Sequence, residues 1–92
     1  MNFIHENNRI YLNDETGHMV AVVTFPPIKE GVVNIEHTFV DNSLRGQGVA
    51  AKLMEEAVSH LKEHNMKAML SCSYAVKWFG DHPEYADLVE KR

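Results

Sequence analysis

The sequence predicts an α+β domain, made of an antiparallel meander of three strands, a crossover helix, a fourth strand parallel to the third, and short C-terminal helices. Three observations carry this. Val33, Ile35, His37 and Phe39 alternate with Asn34, Glu36, Thr38 and Val40, the period of two of a strand with both faces largely filled. Ala50, Leu53, Met54, Ala57, Val58 and Leu61 then recur at helical spacing, with Lys52, Glu55, Glu56, Ser59, Lys62 and Glu63 on the other side. A short apolar run, Ala68-Met69-Leu70, follows that amphipathic helix.

Taken in order, Asn8 to Asn13 reads as a strand and Asp14-Glu15-Thr16-Gly17 as a tight connection. His18 to Phe25, rich in Val, completes a hairpin and stops at Pro26-Pro27, which cannot continue a ladder. Pro26 to Gly31 is a second turn, leading into the third strand. The helix runs for about 18 to 20 residues and ends near His64-Asn65, where Asn can take the left-handed closing conformation. Lys67 to Cys72 is the fourth strand, parallel to the third because a crossover joins them. Tyr74 to Phe79 forms a short helix closed by Gly80, and Pro83 opens a last turn or two through Glu84, Tyr85, Leu88 and Val89. The first few residues and Glu90-Lys91-Arg92 read as loose ends. The sum is a mixed sheet of four or five strands with the long helix on one face.

Ninety-two residues, 45% of them hydrophobic, suffice for one domain, 1–92, with a thin single core. A formal charge of −4 without a Lys/Arg cluster argues against nucleic acid as a partner, so any phosphate binding must be local. The single cysteine, Cys72, has no partner for an internal disulfide, and no segment resembles a signal peptide. The expected location is therefore the reducing cytoplasm. No apolar run approaches the roughly 20 residues of a membrane span. His60 and His64 lie one turn apart with no third ligand joining them, so no metal is expected.

The chemistry concentrates in Leu44-Arg45-Gly46-Gln47-Gly48-Val49-Ala50, between strand and helix. A backbone with few Cβ atoms can curl round an anion there. The first four N–H groups of the helix have no intrahelical partner and carry the positive end of its dipole. Arg45 adds a guanidinium able to fork onto a second phosphate oxygen.

Arg45-Gly46-Gln47-Gly48-Val49-Ala50 matches the Q/R-x-x-G-x-G/A signature of the GCN5-related N-acetyltransferase (GNAT) superfamily, and His37 to Gly48 resembles its V-x-P-x-x-R-G-x-G pattern, with Asn42 in the place of proline. With His82-Pro83-Glu84-Tyr85-Ala86-Asp87-Leu88, the whole chain resembles the small stand-alone acetyltransferase-like subfamily. The resemblance implies a minimal GNAT fold that binds acetyl-CoA. It puts the pyrophosphate of coenzyme A on the backbone N–H groups of Arg45, Gly46, Gln47, Gly48, Val49 and Ala50. It runs the pantetheine past backbone groups of Phe39 and Val40, in a gap where the third and fourth strands splay. An N–H near Val40 would polarise the thioester carbonyl. Larger members build their acceptor site from an N-terminal helical region, whereas this chain starts with strands, so the acceptor side is expected to be open or completed by a partner.

Acetyl transfer needs a base for the amine and an acid for the leaving thiolate. The resemblance suggests Tyr74 as the acid. Two readings of Cys72 and His37 stand side by side: a pair in which His37 acts as base and Cys72 as nucleophile, or a buried small thiol and a satisfied strand histidine. Activation of Cys72 would come from the helix beginning near Ser73. Lys77 and Lys52 either reach the adenosine phosphates or are solvated. The function expected is an N-acetyltransferase acting on an unidentified small-molecule or protein amine, directly or through acetyl-Cys72. The alternative is a coenzyme A binding module without transfer. An exposed sheet edge leaves a monomer or weak homodimer open.

Overall fold

A computed structural model describes residues 2–90. In chain order the elements are β1 (Ile4–Glu6), β2 (Arg9–Asn13), β3 (Met19–Thr24), β4 (Pro27–Lys29), β5 (Val32–Ile35), β6 (His37–Val40), a 3-10 turn (Asn42–Leu44), α1 (Val49–Glu63), β7 (Lys67–Leu70), α2 (Ser73–Gly80) and a second 3-10 turn (Pro83–Leu88). They build an antiparallel sheet in the order β1-β2-β3-β6 and a smaller one in the order β4-β5-β7. β7 is parallel to β5, with Val32 opposite Lys67 and Ile35 opposite Leu70, as a helical crossover requires.

The strand expected from Val33 to Val40 is in fact two strands, β5 and β6, in different sheets. The hand-over lies at Glu36. Its N–H donates to the Thr24 carbonyl at 3.2 Å, while His37 is the register partner of the same Thr24. Two residues opposing one is a β-bulge, and it reverses which side chains face inward. Val33 and Ile35 are fully buried, whereas His37 and Phe39 are exposed. An unbroken alternation would have kept all four on one face.

Three shorter segments also differ from expectation. Ile4–Glu6 is a strand, paired with β2 from Ile4 opposite Tyr11 to Glu6 opposite Arg9. The connection Pro26 to Gly31 contains β4, whose proline is tolerated because β4 is an edge strand. At the other end Val89 bridges to Ala68, and the Glu90 N–H donates to the Ala68 carbonyl at 2.8 Å. Lys91 and Arg92 lie outside the described residues.

Helix α1 is 15 residues long, shorter than expected because Gly46 to Gly48 are spent on the turn that starts it. It closes as anticipated. Asn65 takes φ 54°, its N–H donates to Lys62 and that of Met66 to the Leu61 carbonyl at 2.8 Å, which is the Schellman arrangement. Leu53, Met54, Ala57 and Leu61 pack on Ile10, Ala21, Val23, Val33 and Ile35 to form the core. Among the described residues the opposite sheet face bears no helix, and it carries the row Ile4, Tyr11, Val22, Phe39 across four strands. Among the described residues no helix is long and apolar enough to cross a membrane.

His60 is the one buried polar side chain of α1, 8% exposed, with its ring 5.0 Å from that of Phe25 and 4.3 Å from that of His64. Burial lowers its pKa most, followed by the neighbouring His64 and His5, with Glu63 opposing. The unfolded chain, with histidine at about 6.5, therefore takes up the proton first as pH falls. Stability is complete above about pH 6.5 and is lost as pH drops toward the lower folded-state value. Replacing His60 by Phe should reduce this acid-side loss of Tm between neutral pH and pH 5. Identical Tm against pH curves for the two proteins would show that His60 is not its source.

Candidate functional site

A cavity of about 300 Å³ opens at the start of α1, bounded by Val40, Leu44, Arg45, Gly46, Gly48 and Tyr74. Local capping shapes it. The Asp41 carboxylate accepts from the Ser43 N–H at 2.9 Å and so caps the first 3-10 turn. Ser43 thereby holds the Asp41 carboxyl below the usual carboxylate range. Inside the turn, the Arg45 N–H donates to the Asn42 carbonyl at 3.1 Å and the Gln47 N–H to the Leu44 carbonyl at 3.2 Å. These two N–H groups, both expected to face an anion, are committed to the turn instead.

The other donors of the loop stay open. Gly46 and Gly48 take φ 84° and 69°, left-handed values that side-chain-bearing residues avoid, and Gly48 is the N-cap of α1 without a side-chain cap. The first helical bond into the turn is from the Lys52 N–H to the Gly48 carbonyl, at 3.1 Å. Among the described residues, the N–H groups of Gly46, Gly48, Val49, Ala50 and Ala51 find no protein acceptor. Five donors at the positive end of a 15-residue helix, on a turn lacking Cβ atoms at two positions, fit a pyrophosphate. The Arg45 guanidinium lies on the rim and donates to Asn42 Oδ1 at 3.1 Å.

Beside the cavity, β6 is the edge of its sheet and is unpaired on the side away from β3, leaving a gap that Val40 borders. The Asp41 N–H donates to the Val20 carbonyl at 2.7 Å, which sets the phase of the β3·β6 ladder. Antiparallel alternation then turns the N–H and C=O groups of His37 and Phe39 toward β3, and those of Thr38 and Val40 away from it, into the gap. Val40 and Thr38 thus turn their backbone groups into the gap, whereas those of Phe39 are spent on β3. Tyr74 stands across the cavity, and burial pushes its phenol up, with Lys77 partly opposing, so it keeps its proton at neutral pH.

Cys72 is the N-cap residue of α2, and its S–H donates to Thr38 Oγ1 at 3.5 Å. Burial pushes the thiol up and is the largest single influence. The Thr38 hydroxyl and the N–H dipoles of Ala75, Tyr74 and Thr38 together outweigh it, so the thiol sits below its ordinary value. Of these groups the Thr38 hydroxyl is the one within hydrogen-bonding distance; the N–H groups act at longer range.

Not every candidate gathers here. His37 does not meet Cys72. The bulge leaves it exposed on the helix-free face, and Thr38 takes the position beside the sulfur. Phe39, 43% exposed, also points to that face. Lys77 does not line the cavity; its Nζ is paired with Asp81 Oδ2 at 3.1 Å. Gln47 lines a neighbouring cavity beneath the Asp14–Gly17 turn. Sequence reasoning missed Thr38, Asp41 and Ala51. For Asp41 a signal exists, because Asp two residues before Ser at the start of a turn is an N-cap pattern.

A family model described as GCN5-related N-acetyl-transferase matches residues 9–88, and the chain belongs to that family. Protein NATD1 of Gallus gallus is 32% identical over 66 residues, 72% of this chain and 60% of that protein. The human NATD1 match is the same except that it covers 58% of the relative. The aligned part is thus under two thirds of these relatives' length. A GCN5-like protein from Staphylococcus aureus, solved by NMR, has TM-score 0.79 and 31% identity over 99% of this chain and 89% of its own. The GNAT protein YhbS from Escherichia coli, solved in complex with CoA, has TM-score 0.57 and 27% identity over 63% of this chain and 35% of its own. The minimal GNAT fold expected from the sequence is the fold observed.

Proposed function

We propose that the chain binds acetyl-CoA and transfers the acetyl group to an amine, with Cys72 as first acceptor. The observation that carries this is the row of five unpartnered N–H groups, Gly46 and Gly48 to Ala51, leading into a gap bordered by Val40 and Tyr74. Family membership and the CoA complex of the related YhbS support it. Those N–H groups hold the pyrophosphate, and Arg45 leaves Asn42 to add a charge-assisted contact. The Val40 N–H, free of β3, polarises the thioester carbonyl. Tyr74 gives its proton to the departing sulfur. His37 and Glu36, both exposed, are available to accept a proton from an amine arriving on the helix-free face.

Intact-mass measurement after incubation with acetyl-CoA tests this reading. One added acetyl group is expected on the wild type and none on Cys72→Ala. Amine acetylation at undiminished rate by Cys72→Ala would replace the cysteine route with direct attack. No modification of either protein, together with a panel of amines left unacetylated, would leave a coenzyme A binding module.

A further inference from the structure

We infer that Thr38 is the positioning residue for Cys72, holding the sulfur at the gap through its hydroxyl and donating to it once the thiol proton has left. The inference rests on the reading of Cys72 as first acceptor of the acetyl group. Its basis is the bulge. Because Glu36 and His37 together oppose Thr24, the next residue arrives with its hydroxyl 3.5 Å from the sulfur and with its backbone groups turned into the gap. The other partner is equally fixed. The N–H groups of Ser71 and Cys72 both donate to the Ile35 carbonyl, at 3.1 and 3.2 Å, pinning the chain where β7 ends and α2 begins. Thr38, on a strand held by β3, and Cys72, at a helix start pinned to β5, therefore face each other.

A threonine suits this place for two reasons. Its β-branch stiffens χ1, so the hydroxyl keeps one direction. Its oxygen both accepts and donates, so it takes the S–H bond of the thiol and, by rotating, gives its own O–H to the thiolate. The step it prepares is a thioester exchange. The Cys72 thiol releases its proton to solvent, and the thiolate attacks the acetyl carbonyl carbon. A new bond forms from that carbon to Cys72 Sγ, and the bond to the coenzyme A sulfur breaks. The departing sulfur takes the Tyr74 proton, and Tyr74 recovers one from solvent. One thioester replaces another, so no further reactant is needed.

The test needs no acetyl-CoA. Cys72 is the only cysteine, so the rate of iodoacetamide alkylation against pH reports its thiolate alone. Thr38→Val should move the midpoint up by roughly one pH unit, the size of one hydrogen bond to a charged group. Thr38→Ser should stay within a few tenths of a unit of the wild type. With acetyl-CoA present, Thr38→Val should slow acetylation of Cys72 most at low pH, the deficit closing as pH rises through its midpoint. A midpoint unchanged in Thr38→Val, with the fold intact by its amide spectrum, overturns the inference. If Thr38→Val does not fold, Thr38→Ala against Thr38→Ser makes the same comparison. A shifted midpoint in a protein never acetylated on Cys72 would sink the transfer reading instead, so the two failures are distinct.

Discussion

Gly48→Val should weaken coenzyme A binding by more than tenfold while leaving the sheet and α1 in place. Gly48 holds φ 69°, a value that costs an L residue roughly 1–2 kcal/mol and a β-branched one more. A Cβ built there meets no protein atom within 4 Å, so the substitution does not overpack the protein. It does put two methyl groups at the rim of the cavity that Gly46 and Gly48 line, where the five free N–H groups must reach the ligand. The stability loss should therefore be modest, a fall in Tm of about 4–8 °C for each kcal/mol. Calorimetric titration with acetyl-CoA provides the readout. Gly17→Val is the matched control. Gly17 has φ 89° and lies in the β2–β3 turn away from this cavity, so it shares the strain and should keep the affinity. Equal affinity in Gly48→Val and wild type would end the pyrophosphate reading.

Leu53→Ala should remove a large part of the domain's stability. Leu53 is fully buried on the inward stripe of α1, in the cluster that also holds Ile10, Val23, Val33 and Met54. Such a truncation loses transfer free energy and leaves a cavity, together about 2–5 kcal/mol. A domain of this size has a total of only about 5–15 kcal/mol, and a thin core has few neighbours able to collapse into the space. Urea unfolding should show a much lower midpoint with an unchanged slope. Ser59→Ala, on the exposed face of the same helix, should change the unfolding free energy by no more than about 0.5 kcal/mol. Similar losses in both variants would mean that α1 is held by something other than its apolar stripe.

Elements specified by local pattern were legible in the sequence. The stripe from Ala50 to Leu61 dictates α1, Asn65 its closure, and the need for a crossover the parallel pairing of β7. The glycine turn and its free donors at the start of α1 were legible because they lie in consecutive residues. The hand-over at Glu36 was not. Val33 to Val40 keeps a period of two on both sides of the bulge, and the extra residue exists only relative to Thr24 on another strand. That hidden offset is why His37 looked like the partner of Cys72 while Thr38 occupies the place. β1 and β4, three residues each, are too short to show a period and owe their extension to β2 and β5. Likewise, which N–H groups stay free depends on the 3-10 turn, which ties up Arg45 and Gln47 and spares Ala51.

The bulge also bears on the thermodynamics of ligand binding. One continuous run of backbone, Val32 to Val40, enters the smaller sheet and leaves in the larger, so the strands are parted by the covalent path of the chain itself. A ligand entering there displaces no ladder and orders no loop. It meets donors already aimed, and its binding free energy is spared the entropy of assembling them. On that basis a domain this small can hold a long, flexible ligand without a lid. Backbone amide protection of His37 and Phe39, whose N–H groups face β3, should then change little when the ligand binds, while Thr38 and Val40, which face the gap, gain protection.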